Sequence, residues 1–425
     1  MDTSDNFGAA AKAASIQLPT LSAEQRIQAL EAVITNLQKN SKFIFAANAE
    51  DLSAAKENGL DAPLLKRLKF DQTKLDDCIE GIKMLCQLPD LVGKTIKSTE
   101  LAPELILSQV SCPLGVVGII FESRPDALVQ ISTLCIKSAN ACVLKGGIEA
   151  INTNTALHKV ISEATKGILP DGWLQLIATR DDVKKLLTMD KYIDLIIPRG
   201  SNSFVQYVMN NTQIPVMGHA DGICHIYVDH AADTDLAAKV SIDSKCQYPA
   251  VCNAVETILV HERIAAEYLP KLKEGLEIKH ATLRGCEKTR AIIECDPATD
   301  EDWKTEYLDY IVSVKIVADL DEAITHINKF GSGHTDCIIT SDSATAELFM
   351  NKVDSADVFW NCSTRFADGF RFGLGAEVGI STSKIHARGP VGVEGLLTYK
   401  YKLRGNGHTV APFASGEMPF THKPM

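Results

Sequence analysis

Apolar positions in the first hundred residues recur at helical spacing. Ser22 followed by Gln25 is a capping-box signature, and Ile27, Leu30, Ile34 and Leu37 then share one face of a helix through SAEQRIQALEAVITNLQKN. EDLSAAKENG and DQTKLDDCIEGIKMLCQL predict further helices. ELAPELILSQVS is different: it alternates and carries a proline, which predicts a hairpin or edge ribbon.

From Cys112 onward, short continuous apolar runs alternate with helical stretches. LGVVGIIFE, ACVLKGG, WLQLIAT, YIDLIIPRG and GICHIYVD predict strands, with DALVQISTLCIKSAN, NTNTALHKVISEATKG, DDVKKLLTMD and SNSFVQYVMNN as the helices between them. Strands that are apolar along their whole length imply a parallel sheet covered on both faces. Such sheets bind ligands at the carboxyl ends of their strands. A second series starts near Asp235, with a helix through Ala254, the strand VETILVH, and later SVKIVAD and DCIITSD. The pattern predicts two α/β lobes. After Gly395, LLTYKYKLRGNG predicts a strand leading into an arm used in packing.

Composition narrows the class. A chain of 425 residues allows two to three domains at roughly 150 residues each. With 45% apolar and 23% charged residues it has the make-up of an ordinary soluble globular protein. A net charge of -11 without a long basic run argues against a nucleic-acid surface. The longest apolar runs fall well short of the about 20 residues of a membrane span. The start, MDTSDNFGAAAK, lacks the apolar stretch of a secretory signal. The expectation is a cytoplasmic protein whose 12 cysteines are reduced thiols. The remaining question is whether one of those thiols does chemistry.

Five stretches carry candidate chemistry. In PLGVVGIIFESRPDALVQ, Glu122, Ser123 and Arg124 follow a strand end, where polar groups point into a ligand crevice; a turn with a solvated arginine reads equally well. In NACVLKGG, Lys145 closes a strand before two glycines, so it can reach a ribose or phosphate, although it matches no phosphate-loop motif and a solvated lysine fits as well. In DLIIPRGSNSFVQYV, Gly200 and Ser201 open a helix, a geometry that suits a phosphate or simple capping. In KCQYPAVCNAVETILVH, Cys252 sits at a helix–strand junction, where a thiol can be open to a cleft and activated; a lone cysteine is otherwise a small buried apolar residue. His219, Asp221, Cys224 and His225 match no zinc spacing, and no metal is expected. The fifth stretch, FWNCSTRFADGFRFGLGAEVGISTSKIHARGP, has no periodicity and brings Arg365, Arg371 and Arg388 for carboxylate or phosphate recognition, or as a solvated basic loop.

At these stretches the chain resembles the aldehyde dehydrogenase superfamily, and within it the enzymes that reduce a glutamyl phosphate. The matching signatures are VGIIFESRPDA, VLKGG, DLIIPRG, CHIYVD, YPAVCNAVETILVH, TEYLDYIVSVKIV, STRFADG, FGLGAEVGIST and HARGPVGVEGLLTYK, in family order from Val117 to Lys400. The resemblance implies two Rossmann-like α/β lobes plus a small β oligomerisation element. Residues 1–98 and 113–231 are expected to bind the cofactor and 232–361 to be catalytic. Residues 362–393 are expected to line the cleft, with 99–112 and 394–425 forming the ribbon and C-terminal arm.

Roles follow position by position. The resemblance makes Cys252 the nucleophile, Lys145 the residue on the adenosine ribose, Glu306 the residue on the nicotinamide ribose, and Gly200 with Ser201 the turn near the pyrophosphate. The acid that many NAD-preferring relatives place three residues after the lysine is Ile148 here, with Glu149 one further, which leans toward NADP(H). The oxyanion-hole asparagine of ordinary members is replaced by Phe121-Glu122-Ser123, so Ser123 or a backbone N–H must serve. The water-activating glutamate has no match in Met217 to Asp221, which protects an acyl-enzyme from hydrolysis. His219 is a proton-handling or structural histidine, and Arg124, Arg371 and Arg388 are candidates for substrate binding. The implied reaction is NADPH-dependent reduction of L-glutamyl 5-phosphate to L-glutamate 5-semialdehyde through a cysteine thioester, in proline biosynthesis. A homo-oligomer is expected, with room for association with a glutamate kinase carried on a separate chain.

Overall fold

The computed structural model describes residues 6–178, 180–218 and 221–425. Five helices lead: Asn6–Gln17, Ala23–Lys39, Ser41–Glu57, Ala62–Leu68 and Gln72–Gln87. The capping box forms as the sequence predicts, with Ser22 and Gln25 exchanging both bonds. Leu30, Val33 and Leu37 are buried below it. The first packs directly on a four-stranded parallel sheet made of β3 (Val116–Phe121), β4 (Ala141–Lys145), β5 (Leu174–Ile177) and β6 (Leu195–Arg199), in the order β5-β4-β3-β6, and the others add a layer over the helices Pro125–Ser138 and Ile151–Thr165 that cover it. All six residues of β3 are buried, because helices cover both of its faces.

Two earlier strands, β1 (Thr95–Ala102) and β2 (Leu105–Pro113), form the predicted hairpin, which begins four residues before the expected boundary at 99. β16 (Leu397–Arg404) pairs antiparallel with β2, and β17 (Lys423–Pro424) with β1, so the arm returns to close a separate four-stranded ribbon.

The second lobe is a seven-stranded parallel sheet ordered β10-β9-β11-β8-β7-β12-β13. Its strands are β7 (Cys224–Val228), β8 (Val255–His261), β9 (Thr282–Gly285), β10 (Asp296–Pro297), β11 (Ile311–Val317), β12 (Thr335–Ile339) and β13 (Asp357–Trp360). Side chains alternate between two cores. Ile226, Val228, Ile258 and Val260 pack with the helices Thr234–Cys246 and Ala265–Ile278, while Tyr227, Leu259 and Ile338 face Leu320–Phe330 and Ser343–Lys352. A small pair, β14 (Gly379–Ser381) with β15 (Gly389–Val391), lies in the segment 362–393.

Two further boundaries differ from the sequence reading. β7, placed in the first lobe by the cut at 231, pairs with β8 and β12 and belongs to the second sheet. Apolar periodicity identifies a strand but not its neighbours, so the crossing of the chain between lobes before Cys224 left no mark. The helix expected through Ala254 ends at Cys246, because Pro249 disfavours helical backbone in the residue before it.

Candidate active site

The two sheets meet end to end. Phe121, Lys145 and Arg199 close the carboxyl ends of β3, β4 and β6. Facing them are the amino ends of β7, β8 and β12, marked by Gly222, Cys252 and His334. The rule that ligands lie at carboxyl ends thus holds for the first sheet, while the candidate nucleophile comes from the amino end of the second. Arg67, near the end of an N-terminal helix, bridges the lobes by donating to the Ala250 carbonyl at 3.3 Å.

Cys252 is half-buried in the turn between the helix Thr234–Cys246 and β8. Its turn is clamped on three sides. Cys224 donates its thiol to the Cys252 carbonyl at 3.2 Å. Thr364 donates to the Asn253 carbonyl and the Asn253 amide donates to the Ala367 carbonyl, both at 2.7 Å, so the segment 362–393 frames the cysteine. Gly222 packs so closely that a Cβ there would lie 2.2 Å from the Cys252 oxygen and 2.3 Å from its Cα. Burial pushes the Cys224 thiol well above its ordinary range, which leaves that neighbour a protonated donor. All 12 cysteines stand as free thiols.

His334 was not singled out from the sequence, and the structure brings its Nε2 to 3.2 Å from the Cys252 sulfur. It is wholly buried, and its Nδ1 lies 2.7 Å from the Thr335 hydroxyl. A histidine one residue ahead of a strand carries no motif, so only the parallel placement of β8 and β12 on either side of β7 reveals the pairing. Arg199 was also missed. Its Nη1 is buried without a partner, and it faces Glu377 at 3.8 Å. Burial holds the Arg199 guanidinium below its ordinary range, with Arg124 adding repulsion while Glu377, Asp126 and Cys252 oppose the shift. Arg365 shows the same pattern, lowered by burial and Arg371 and raised by Asp368 and Cys252. Arg199 and Arg365 thus put positive charge near the sulfur, with Arg124 beside Arg199.

The other predicted residues fall as follows. Ser123 has a positive φ of 38°, and its amide and hydroxyl both donate to one Glu149 oxygen, at 2.7 and 2.6 Å. The hydroxyl, one of the two oxyanion donors the resemblance offered, is thus engaged with a carboxylate in this structure. Arg124 lies 3.6 Å from Asp126. Arg371 donates to the Arg365 carbonyl at 2.8 Å and supports the loop beside the cysteine. Arg388 donates to the Asp354 carbonyl at 3.1 Å. Glu306 is half-exposed in the loop before β11, close to the buried pair Lys245–Glu256, whose Nζ and Oε2 lie 2.6 Å apart and whose carboxyl is pushed up to about 8 by burial. His219 lies outside the described residues.

The carboxyl edge of the first sheet fits a nicotinamide dinucleotide. Lys145 ends β4, and Gly200 and Ser201 are exposed at the head of the nine-residue helix Asn202–Asn210, with no side-chain cap from Ser201. Glu122 receives the Ser201 amide, and burial, then Glu149, pushes its carboxyl up.

This arrangement of two parallel sheets meeting across a cysteine, with a separate ribbon, agrees with the comparisons. The aldehyde dehydrogenase family matches residues 2–282 and 292–398. The gamma-glutamyl phosphate reductase of Acetivibrio thermocellus is 60% identical over 415 residues, covering 97% of this chain and 96% of that protein. The crystal structure of the gamma-glutamyl phosphate reductase of Thermotoga maritima superposes with a TM-score of 0.93 at 39% identity, over 96% of this chain and all of that one. An engineered glycolyl-CoA reductase with bound NADP+ shares the fold at a TM-score of 0.66 and 14% identity, over 95% of this chain and 96% of that one. The chain belongs to the aldehyde dehydrogenase family, in its gamma-glutamyl phosphate reductase branch. It is an oxidoreductase that acts on a small molecule with a nicotinamide cofactor. Among the described residues, no helix is long and apolar enough to cross a membrane.

Proposed function

We propose that this chain reduces L-glutamyl 5-phosphate to L-glutamate 5-semialdehyde and phosphate, with NADPH, through a thioester on Cys252. The observation that carries the reading is the position of Cys252, half-buried between the carboxyl edge of one sheet and the amino edge of the other. The sulfur attacks the acyl carbon, and phosphate leaves. The thioester carbonyl is a far better hydride acceptor than a carboxylate. The nicotinamide supplies the hydride when bound. The resulting oxyanion needs fixed donors, and since Ser123 is bound to Glu149, the Cys252 backbone N–H is the donor we favour. Arg124, Arg199 and Arg365 serve the phosphate and carboxylate of the substrate.

The residues of the cofactor edge take their parts in this reading. Lys145, Gly200, Ser201 and Glu306 hold the dinucleotide. NADP(H) is favoured because Ile148, three after Lys145, is 71% exposed and carries no acid, while the Glu149 carboxylate is turned onto Ser123. The lobe holding β3–β6 is the cofactor domain, and the seven-stranded lobe is the catalytic one. The exposed Tyr399, Tyr401 and Leu403 on the edge strand β16 support a homo-oligomer assembled through the ribbon. A cytoplasmic location and a separate glutamate kinase as supplier of the labile acyl phosphate complete the proposal.

The reaction is tested in reverse, with semialdehyde, phosphate and NADP+, by following NADPH absorbance. Phosphate-dependent NADPH formation that disappears in Cys252→Ala is expected. Turnover in the absence of phosphate, or undiminished in the variant, refutes the mechanism.

A further inference from the structure

We propose that His334 is a catalytic residue, the base that takes the proton from Cys252, and that Thr335 and Asp357 are positioning residues that hold its ring in the required tautomer. The inference rests on the reading of Cys252 as nucleophile and extends it to the group that makes the nucleophile.

The distances suit one order of protons along this series. Thr335 donates its hydroxyl proton to Asp357 Oδ2 at 3.4 Å. With that proton engaged, the Thr335 oxygen faces His334 Nδ1, 2.7 Å away, as an acceptor. In this proposal Nδ1 carries the ring proton and donates to that oxygen, so that Nε2, 3.2 Å from the sulfur, receives the thiol proton. Cys224 reaches Nδ1 only at 3.9 Å and gives its thiol proton to the Cys252 carbonyl instead. This is the orientation a nucleophile–base–orienter series requires, with a hydroxyl between the imidazole and the carboxylate. Arg199 and Arg365 bring positive charge to the neighbourhood of the sulfur. Arg388, near Asp357, helps hold that carboxyl at the far end.

The step balances without any added reagent. The Sγ–H bond breaks and an Nε2–H bond forms, leaving a thiolate beside an imidazolium. The sulfur lone pair forms the bond to the acyl carbon, the carbon–oxygen bond to phosphate breaks, and phosphate departs with its electron pair. The proton stays on Nε2 through reduction of the thioester. When the thiohemiacetal collapses, the carbon–sulfur bond breaks and the thiolate is restored beside the same imidazolium, so His334 is neither consumed nor oxidised.

A measurement without substrate isolates this role. Alkylation of Cys252 by iodoacetamide, assigned by peptide mass spectrometry, is followed from about pH 6 to about pH 9 in the full-length protein. At about pH 6.5 the expected rate falls on the order of tenfold or more in His334→Ala and returns toward the parent's at about pH 9, where hydroxide replaces the base. Thr335→Val, which keeps the shape and removes the hydroxyl, slows alkylation in the same direction, and Thr335→Ser restores it. A native circular dichroism spectrum with a parental rate in His334→Ala overturns the proposal. If that variant does not fold, a parental rate in Thr335→Val overturns it. Turnover in Cys252→Ala speaks only to the nucleophile, so failure of that reading and failure of this one are separate results.

Discussion

The closest backbone approach in the active site supplies the sharpest prediction. Gly222 lies against the Cys252 turn, and its backbone is not in the left-handed region, so alanine there is opposed by contact alone. The added Cβ would sit 2.2 Å from the Cys252 oxygen, 2.3 Å from its Cα and 2.5 Å from its Cβ. Non-bonded carbon contacts are optimal near 3.5 Å, so relieving the overlap requires a shift of about 1 Å. None of the three atoms is the far end of a flexible side chain, so the shift falls on the backbone of Cys252, the proposed nucleophile. It also disturbs the oxygen that accepts the Cys224 thiol. Overpacking of this kind costs about 1–3 kcal/mol in stability. A reacting group displaced by about 1 Å loses on the order of 10²-fold in rate, equivalent to about 2.7 kcal/mol of barrier. The assay is kcat/KM in the reverse direction beside thermal unfolding. Gly379→Ala, whose Cβ would meet only Ile197 at 3.6 Å, is the control expected to match the parent. A Gly222→Ala enzyme with parental kcat/KM and parental melting would refute the steric argument.

Two further predictions concern buried charge. Burial pushes the Asp357 carboxyl up to about 6, with the Thr335 hydroxyl and Arg388 offsetting part of the effect. A carboxyl raised in the native state weakens the fold as pH rises from about 4 to about 6, by up to about 3 kcal/mol. Asp357→Asn is therefore expected to gain stability over the parent at about pH 7.5 and to lose that advantage toward about pH 4. Denaturant unfolding across that range checks it, and an advantage that grows on acidification contradicts it. Lys245→Met leaves Glu256 buried without its 2.6 Å partner and is expected to cost about 3–5 kcal/mol, most of it recovered in Lys245→Met/Glu256→Gln. Chemical denaturation of the single and double variants measures both, and equal stability of the two would count against an ionised pair.

Much of the site was legible because the relevant signals are local. Cys252 follows a proline-ended helix and precedes an apolar strand, and Lys145, Gly200 and Ser201 stand at strand ends visible from the apolar pattern alone. The segment holding Arg365 and Arg371 announced itself by lacking any periodicity, and it frames the cysteine turn. Arg388 comes from the same segment but turns to Asp354, because a loop's composition says nothing of where each side chain points. Ser123 stands at the strand end the apolar pattern marks, but its bond to Glu149 was not legible, since Glu149 is 26 residues away and reaches it only when β3 and β4 align.

The sequence by itself determined the helices, the strands, their burial on both faces and the one cysteine at a helix–strand junction. These depend on residue size, polarity and spacing over a few turns of chain. Tertiary structure decided which sheet β7 joins, that the amino edge of one lobe confronts the carboxyl edge of the other, and that His334 meets Cys252 across 82 positions of sequence. Such contacts depend on strand order within the sheet, and strand order is set by the packing of whole faces, which no short stretch of residues encodes.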